Sequence, residues 1–297
     1  MGANLKEVRE RIKSVISTQQ ITKAMKMVSA AKFRKAQQAI VQVRPYADRL
    51  NKMLANISAN SDGDTSLVFN QEREVNNVLV VIITSSRGLA GAFNANVIKA
   101  AIIEIDTHFL PVYNAGNLTI LSIGKKGNDG LRRRYPKATF ITEHIDLISR
   151  LSYDNVAVIS QWIMDEFAAK KFDQVVCAYS RFKNAAMQFA EVDQYLPIPK
   201  IESTGKRKSK ADYIYEPDQF TLLATLIPNI LQLQFHRFVL DTHASEHGAR
   251  MTAMEKATDN AEELLKELKI NYNKARQEAI TNELSEIVGG AAALESN

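Results

Sequence analysis

The chain has 297 residues, 45% hydrophobic and 24% charged, the composition of a folded protein of one or two domains, with no apolar run of the ~18 residues that a bilayer span requires. A single cysteine, Cys177, excludes an internal disulfide and any cysteine-based metal site, and so points to a reducing, intracellular compartment. The net charge of +5 is unevenly spread: residues 1–58 carry twelve basic and three acidic side chains, whereas residues 218–297 carry seven basic and twelve acidic. A basic end attracts an acidic partner, and opposite ends also help each other to pair.

The start, Met1-Gly2-Ala3-Asn4-Leu5-Lys6, lacks the apolar core of a secretory signal, and Lys6 breaks the myristoylation pattern. Residues 4–58 then read as one long helix. Asn4 followed by Glu7 forms a capping-box-like start, and no Gly or Pro occurs from 3 to 44. Leu5, Val8, Ile12 and Val15 step along one face; the seam turns polar at Gln19 and Thr22. It is expected to resume at Ile21, Met25 and Val28, with small residues Ala31, Ala36 and Ala39 beyond. Pro45 predicts a kink, and residues 58–66 a polar linker.

Residues 77–200 alternate strand and helix patterns. Val78–Thr84 is an unbroken, largely β-branched run, as in a strand buried on both faces. A Gly-bearing turn follows, then a helix around Asn94–Asp106, a strand at Leu118–Ile123, a helix from Asn155 to Lys170 and a strand at Gln174–Tyr179. That order predicts a small parallel α/β sheet, with Met187–Leu196 as an added edge strand. Pro197, Pro199 and Gly205-Lys-Arg-Lys-Ser-Lys210 mark an exposed loop, and Tyr213–Tyr215 a short extended piece.

From Pro217 to about Val288 the pattern is helical again, with Gly289-Gly290 as the expected stop and Pro228 as a bend. Roughly 70 residues at ~1.5 Å each make about 105 Å, far beyond an ordinary globular helix. Met251, Thr258, Leu265, Tyr272 and Ala279 occupy one heptad position, and Met254, Ala261, Leu268 and Ala275 the other. The fold class is therefore an α/β domain (67–216) inserted between two long helices, 1–58 and 217–290, which pair as an antiparallel coiled coil. With the helix ends level, Met25 falls opposite about residue 251, beside Arg250, and Leu5 opposite about 271. The last turns of the second helix then lack a partner, and Ile280, Leu284, Ile287 and Val288 form an apolar stripe with nothing in the chain to cover it.

Several short segments resemble one family in order along the whole chain. They are Ile21-Thr-Lys-Ala-Met-Lys-Met-Val28, Arg44-Pro45-Tyr46-Ala47, Ser86-Arg87-Gly88-Leu89-Ala90-Gly91, Tyr215-Glu216-Pro217-Asp218 and, most fully, Tyr272-Asn-Lys-Ala-Arg-Gln277 with Ile280-Thr-Asn-Glu283-Leu-Ser-Glu286-Ile-Val-Gly-Gly-Ala-Ala292. The chain resembles the gamma subunit of the rotary, proton-translocating (F-type) ATP synthase. The resemblance implies a non-catalytic rotor shaft, one copy per complex, turned by the membrane c-subunit ring. Its implied partners are the hexamer of alpha and beta subunits, the epsilon subunit and the c-ring; no nucleic acid, cofactor or metal is implied. It assigns Met25 and Arg250 to the contact with an acidic loop of beta. Arg276, Gln277, Thr281 and Glu283 match polar contacts with the loops that grip the upper shaft, and Tyr215 and Glu216 match contacts with the c-ring. It implies a peripheral place at the cytoplasmic face of a bacterial inner membrane. The sequence departs from the family at Ser86, where Asp is usual, at Ala90, where Cys is usual, at Lys26 and at Pro228.

Other readings are weaker. Gly88 and Gly91 do not make a dinucleotide fingerprint, and Gly124-Lys125 is no P-loop, since Thr119 stands where Gly is required. His243 and His247 are spaced for two metal ligands, yet no acidic residue completes a zinc pattern. Gly205–Lys210 and Arg132-Arg133-Arg134 read as solvated charge, with attraction to anionic lipid as the sharper alternative. A coiled-coil nucleic-acid-binding or scaffold protein would use the basic first helix, but the interleaved aromatics of that class are missing. A small α/β enzyme with helical arms would need a nucleophile–base pair, and none is evident.

Overall fold

The structure is a computed structural model that describes residues 5–60, 68–71, 73–185, 187–198 and 219–295. The elements in chain order are α1 (Leu5–Asn60), β1 (Val78–Ile83), α2 (Phe93–Glu104), a π-helical turn (Ile105–Phe109), α3 (Leu110–Asn114), β2 (Leu118–Ile123), α4 (Lys125–Arg134), β3 (Thr139–Ile141), α5 (Tyr153–Ala168), β4 (Gln174–Phe182), β5 (Gln188–Leu196) and α6 (Gln219–Glu295). Two compact units are formed, one from Met1–Ser29 with Met251–Asn297, the other from Ala30–Arg250.

The Ala30–Arg250 unit is built on a five-stranded sheet in the order β3-β2-β1-β4-β5. The β1–β2, β1–β4 and β2–β3 pairs are parallel, and β5 closes the edge antiparallel to β4. β1 lies at the centre, and all six of its residues are buried, which explains its unbroken apolar run. Alternate residues serve opposite faces. Val78, Val80 and Ile82 meet Val97, Ala101, Ile105 and Leu131 from α2, the π turn and α4. Leu79, Val81 and Ile83 meet Ile159, Ile163 and Phe167 of α5, together with Leu50 of α1 and Leu231, Phe235 and Phe238 of α6. The lower parts of the two long helices thus form part of the second covering layer.

Several elements escape the sequence reading, among them α3, β3 and α4. β3 is only three residues long, and α4 contains two glycines and a single apolar residue, Leu131, which is buried. α4 begins where Gly124 adopts φ +94; a Cβ there would lie 2.0 Å from the Thr84 carbonyl oxygen, so only glycine fits. The expected stop at Gly289-Gly290 is not observed: α6 runs through both to Glu295. Each glycine costs about 1 kcal/mol in a helix, but Ala291-Ala-Ala-Leu294 are strong helix formers that carry it on. Pro45 and Pro228 likewise lie inside α1 and α6.

In the other unit, residues 5–29 of α1 pair antiparallel with α6 from Met251 to about Arg276. Every heptad position from Met251 to Ala279 is buried or half-buried, with Met254, Ala261, Leu265 and Leu268 nearly closed to solvent. On α1 the facing row is Leu5, Val8, Ile12, Val15, Gln19, Thr22, Met25 and Ser29. The expected continuation through Ile21 and Val28 is therefore wrong: both are exposed, at 56% and 57%. The 3–4 alternation keeps the polar Gln19 and Thr22 inward, and the two apolar residues fall on the other side.

Three cross-helix pairs set the register. Arg9 Nη2 donates to the Tyr272 hydroxyl at 2.9 Å, the Thr22 and Thr258 hydroxyls lie 2.8 Å apart, and Lys26 Nζ meets Glu255 Oε1 at 2.6 Å. Leu5 therefore comes level with about position 276, and Met25 with about 256, some five residues beyond the level-ended estimate. Side-chain fit along the seam, not alignment of helix ends, decides the offset. Lys26, a departure from the family pattern, is matched by Glu255 across the seam.

Candidate functional site

Of the residues singled out by sequence, Tyr215 and Glu216 lie outside the described residues, as do Pro217 and Gly205–Lys210. The others fall into two groups, one in each unit.

In the helical-pair unit, Arg276, Gln277, Thr281 and Glu283 are all exposed on α6, the first two level with Leu5 of α1 and the other two beyond it. The Thr281 hydroxyl donates to the Gln277 carbonyl at 2.9 Å, and Ser285 repeats this to Thr281, so these hydroxyls are turned back on their own helix. Beside them Ile280, Leu284, Ile287 and Val288 are 50–68% exposed. Steps of four, three and one put them on one stripe. An apolar stripe with polar groups alongside is the arrangement expected of a partner-binding helix end. Met25 is half-buried in the seam, and Met27 is exposed. The register that set Met25 beside Arg250 is the one corrected above, so it no longer supports that pairing.

Arg250 stands elsewhere and is not a free surface charge. It is 6% exposed. Its Nη1 donates to Glu246 Oε1 at 2.6 Å and lies 3.5 Å from His247 Nδ1; its Nη2 reaches the carbonyl oxygens of Arg87 at 3.5 Å and Gly88 at 3.3 Å. The Glu246–Arg250 spacing is the favourable order of acid and base one turn apart, a signal present in the sequence but passed over. Arg250 thereby ties α6 to the turn that follows β1.

That turn is also held from within the sheet layer. Asn94 Oδ1 accepts from the Ser85 backbone N–H and hydroxyl, both at 3.0 Å, and the Ser85 hydroxyl is 2.6 Å from the Arg87 carbonyl oxygen. Ala90 is buried, whereas Ser86, Arg87, Gly88 and Leu89 are exposed. Leu89 has φ +61, a left-handed conformation that costs a leucine about 1–3 kcal/mol unless its surroundings enforce it. Where the usual aspartate is replaced by Ser86, its hydroxyl oxygen accepts from the Lys125 backbone N–H at 3.4 Å.

The neighbouring histidines are electrically silent. His243 and His247 lie with their Nε2 atoms 3.2 Å apart. Burial above all, with the charges of Lys32, Arg250 and Lys35, lowers His243 to about 4. Burial, then His243, Arg250 and Lys32, lowers His247 to about 3. Both are neutral at pH 7, so neither repels the Arg250 guanidinium. Among the described residues no group of three or more His, Cys, Asp or Glu is placed to hold a metal.

The sequence model of a family described as ATP synthase matches residues 4–294 of the chain. An ATP synthase gamma chain of Flavobacterium psychrophilum is 51% identical over 292 residues, covering 98% of this chain and 99% of the relative. One of Cytophaga hutchinsonii is 47% identical over 293 residues, covering 98% and 99%. Among solved structures, a chain of the Euglena gracilis mitochondrial ATP synthase (OSCP/F1/c-ring, rotational state 3) aligns with a TM-score of 0.66 at 22% identity, covering 98% of this chain and 95% of that one. At that identity the likeness concerns the fold.

Proposed function

The chain belongs to the ATP synthase gamma-chain family, and from that premise we propose that it is the central rotor shaft of a proton-translocating ATP synthase. It is not the catalyst: ATP is made and hydrolysed on the beta subunits. The chain divides by role into a shaft (1–58 and 217–290) and a globular α/β domain (67–216). The observation that carries this reading is the end of α6: a helix continued to Glu295, with an exposed apolar stripe and with Arg276, Gln277, Thr281 and Glu283 beside it. Such an end suits a bearing in a sleeve formed by alpha and beta. Solved structures of like fold are described as rotor and as central stalk with c-ring, which supports the c-ring as the driving partner; epsilon is the proposed stalk neighbour. Tyr215 and Glu216 are the proposed c-ring contacts, and Met25 a contact with beta.

The mechanism is a biasing of equilibria. Each catalytic subunit moves among conformations that differ by a few kcal/mol, and an asymmetric shaft touches the three copies differently. Turning the shaft changes which conformation each copy prefers, so rotation and nucleotide state become linked. None of the described helices is long and apolar enough to cross a membrane; the proposed location is peripheral, at the cytoplasmic face of a bacterial inner membrane.

The test is the double variant Arg276→Ala/Gln277→Ala in the assembled complex on vesicles. ATP-driven proton pumping per ATP hydrolysed should fall while nucleotide affinity of the hexamer is kept. Pumping efficiency equal to wild type, or ATP turnover by the purified chain alone, would refute the reading.

A further inference from the structure

We propose that Arg250 is a positioning residue: it holds the turn Ser86–Leu89 in its strained form, so that the exposed crest, not Arg250 itself, meets an acidic partner surface. The proposal rests on the shaft reading for its partner, but the internal tie is read from geometry alone.

A guanidinium that docks directly on a partner has to be accessible. Arg250 is 6% exposed, and both of its terminal nitrogens are engaged inside the unit. One is neutralised by Glu246, itself 5% exposed. The other reaches two successive carbonyl oxygens, those of Arg87 and Gly88. The guanidinium spreads its donors over two nitrogens, Nη1 for the carboxylate and Nη2 for the carbonyls, a spacing that the single nitrogen of a lysine does not reproduce.

The carbonyls lie just ahead of Leu89, which is 64% exposed at φ +61. An exposed leucine has no packing of its own to enforce a left-handed backbone, so the enforcement comes from the flanking peptides. Ser85 and Asn94 fix the entry to the turn, the burial of Ala90 fixes the exit, and Arg250 fixes the middle from α6. What the turn then offers outward is one cation, Arg87, beside one apolar side chain, Leu89, both exposed. A partner surface with a carboxylate next to an apolar group fits that pair.

The decisive variants are Arg250→Lys, which keeps the charge, and Glu246→Gln, which loosens the Arg250 clamp, both in the assembled complex. If Arg250 positions the turn, amide hydrogen exchange at residues 87–91 rises about ten-fold in Arg250→Lys, the loss of roughly one charge-assisted hydrogen bond. Exchange in 254–272 of α6 stays as it was, and proton pumping per ATP falls in step. Glu246→Gln shifts both in the same direction, by less. Unchanged exchange at 87–91 in Arg250→Lys overturns the proposal, because charge alone would then suffice. Raised exchange with pumping intact also overturns it, since the crest would then not be the docking surface. Failure of the shaft reading is recognised separately, by the Arg276/Gln277 variant.

Discussion

Acidification from about pH 7.5 to about pH 5 should weaken the Ala30–Arg250 unit through its buried histidines. In the unfolded chain a histidine titrates near 6.5. In the fold His243 is lowered to about 4 and His247 to about 3, mainly by burial. Between those values the unfolded chain binds protons that the folded chain refuses. The stability is therefore complete above pH 6.5 and lost as the pH falls below it. Each histidine contributes about 1.4 kcal/mol per pH unit in this window, hence about 2 kcal/mol at pH 5, or about 4 kcal/mol for the pair. His236, also lowered by burial, acts in the same direction. Against a typical total of about 5–15 kcal/mol the loss is large. Trp162, the single tryptophan, packs half-buried against the core on α5 and reports on this unit. Urea unfolding followed by its fluorescence at the two pH values gives the difference directly. The double variant His243→Gln/His247→Gln keeps polar groups at both positions but cannot titrate, so most of the pH dependence should vanish with it. An equal drop in variant and wild type would show that the histidines do not carry the effect.

Two further perturbations test the fold. Thr22→Val or Thr258→Val alone should destabilise the helical pair by about 1 kcal/mol through loss of the cross-helix contact, each remaining hydroxyl keeping its bond to the Gln19 or Met254 carbonyl of its own helix, and the double change should cost no more than either single one. A thermal melt followed by circular dichroism decides this, and additive single effects would count against the contact. Gly124→Ala places a Cβ 2.0 Å from the Thr84 carbonyl oxygen at φ +94. It should therefore cost more than the roughly 1–3 kcal/mol of simple backbone strain; an unchanged urea midpoint of Trp162 fluorescence would contradict the assigned turn.

Much of this molecule is legible in one dimension because its main elements repeat over a long distance. Heptads over 251–279 make α6 one half of a helical pair, and the burial of Met254, Leu265 and Leu268 follows that pattern. The unbroken Val78–Ile83 run makes β1 a central strand, since only a strand covered on both faces has no polar side. The exposed stripe from Ile280 to Val288 is likewise visible in the order of residues alone.

The tertiary structure alone decided what depends on relative placement. The seam passes Ile21 and Val28 by and runs through Thr22 and Ser29, because the inward row is chosen by the partner helix as well as by local hydrophobicity. The register follows Thr22–Thr258 and Lys26–Glu255, contacts between residues more than two hundred positions apart. Above all, Arg250 is assigned from sequence, by resemblance, to a contact with an acidic loop of beta. In space it is a buried link, because a charge can leave water when a carboxylate one turn away and two backbone carbonyls replace its hydration. No local pattern specifies those carbonyls, since they are supplied by a turn 163 residues earlier in the chain.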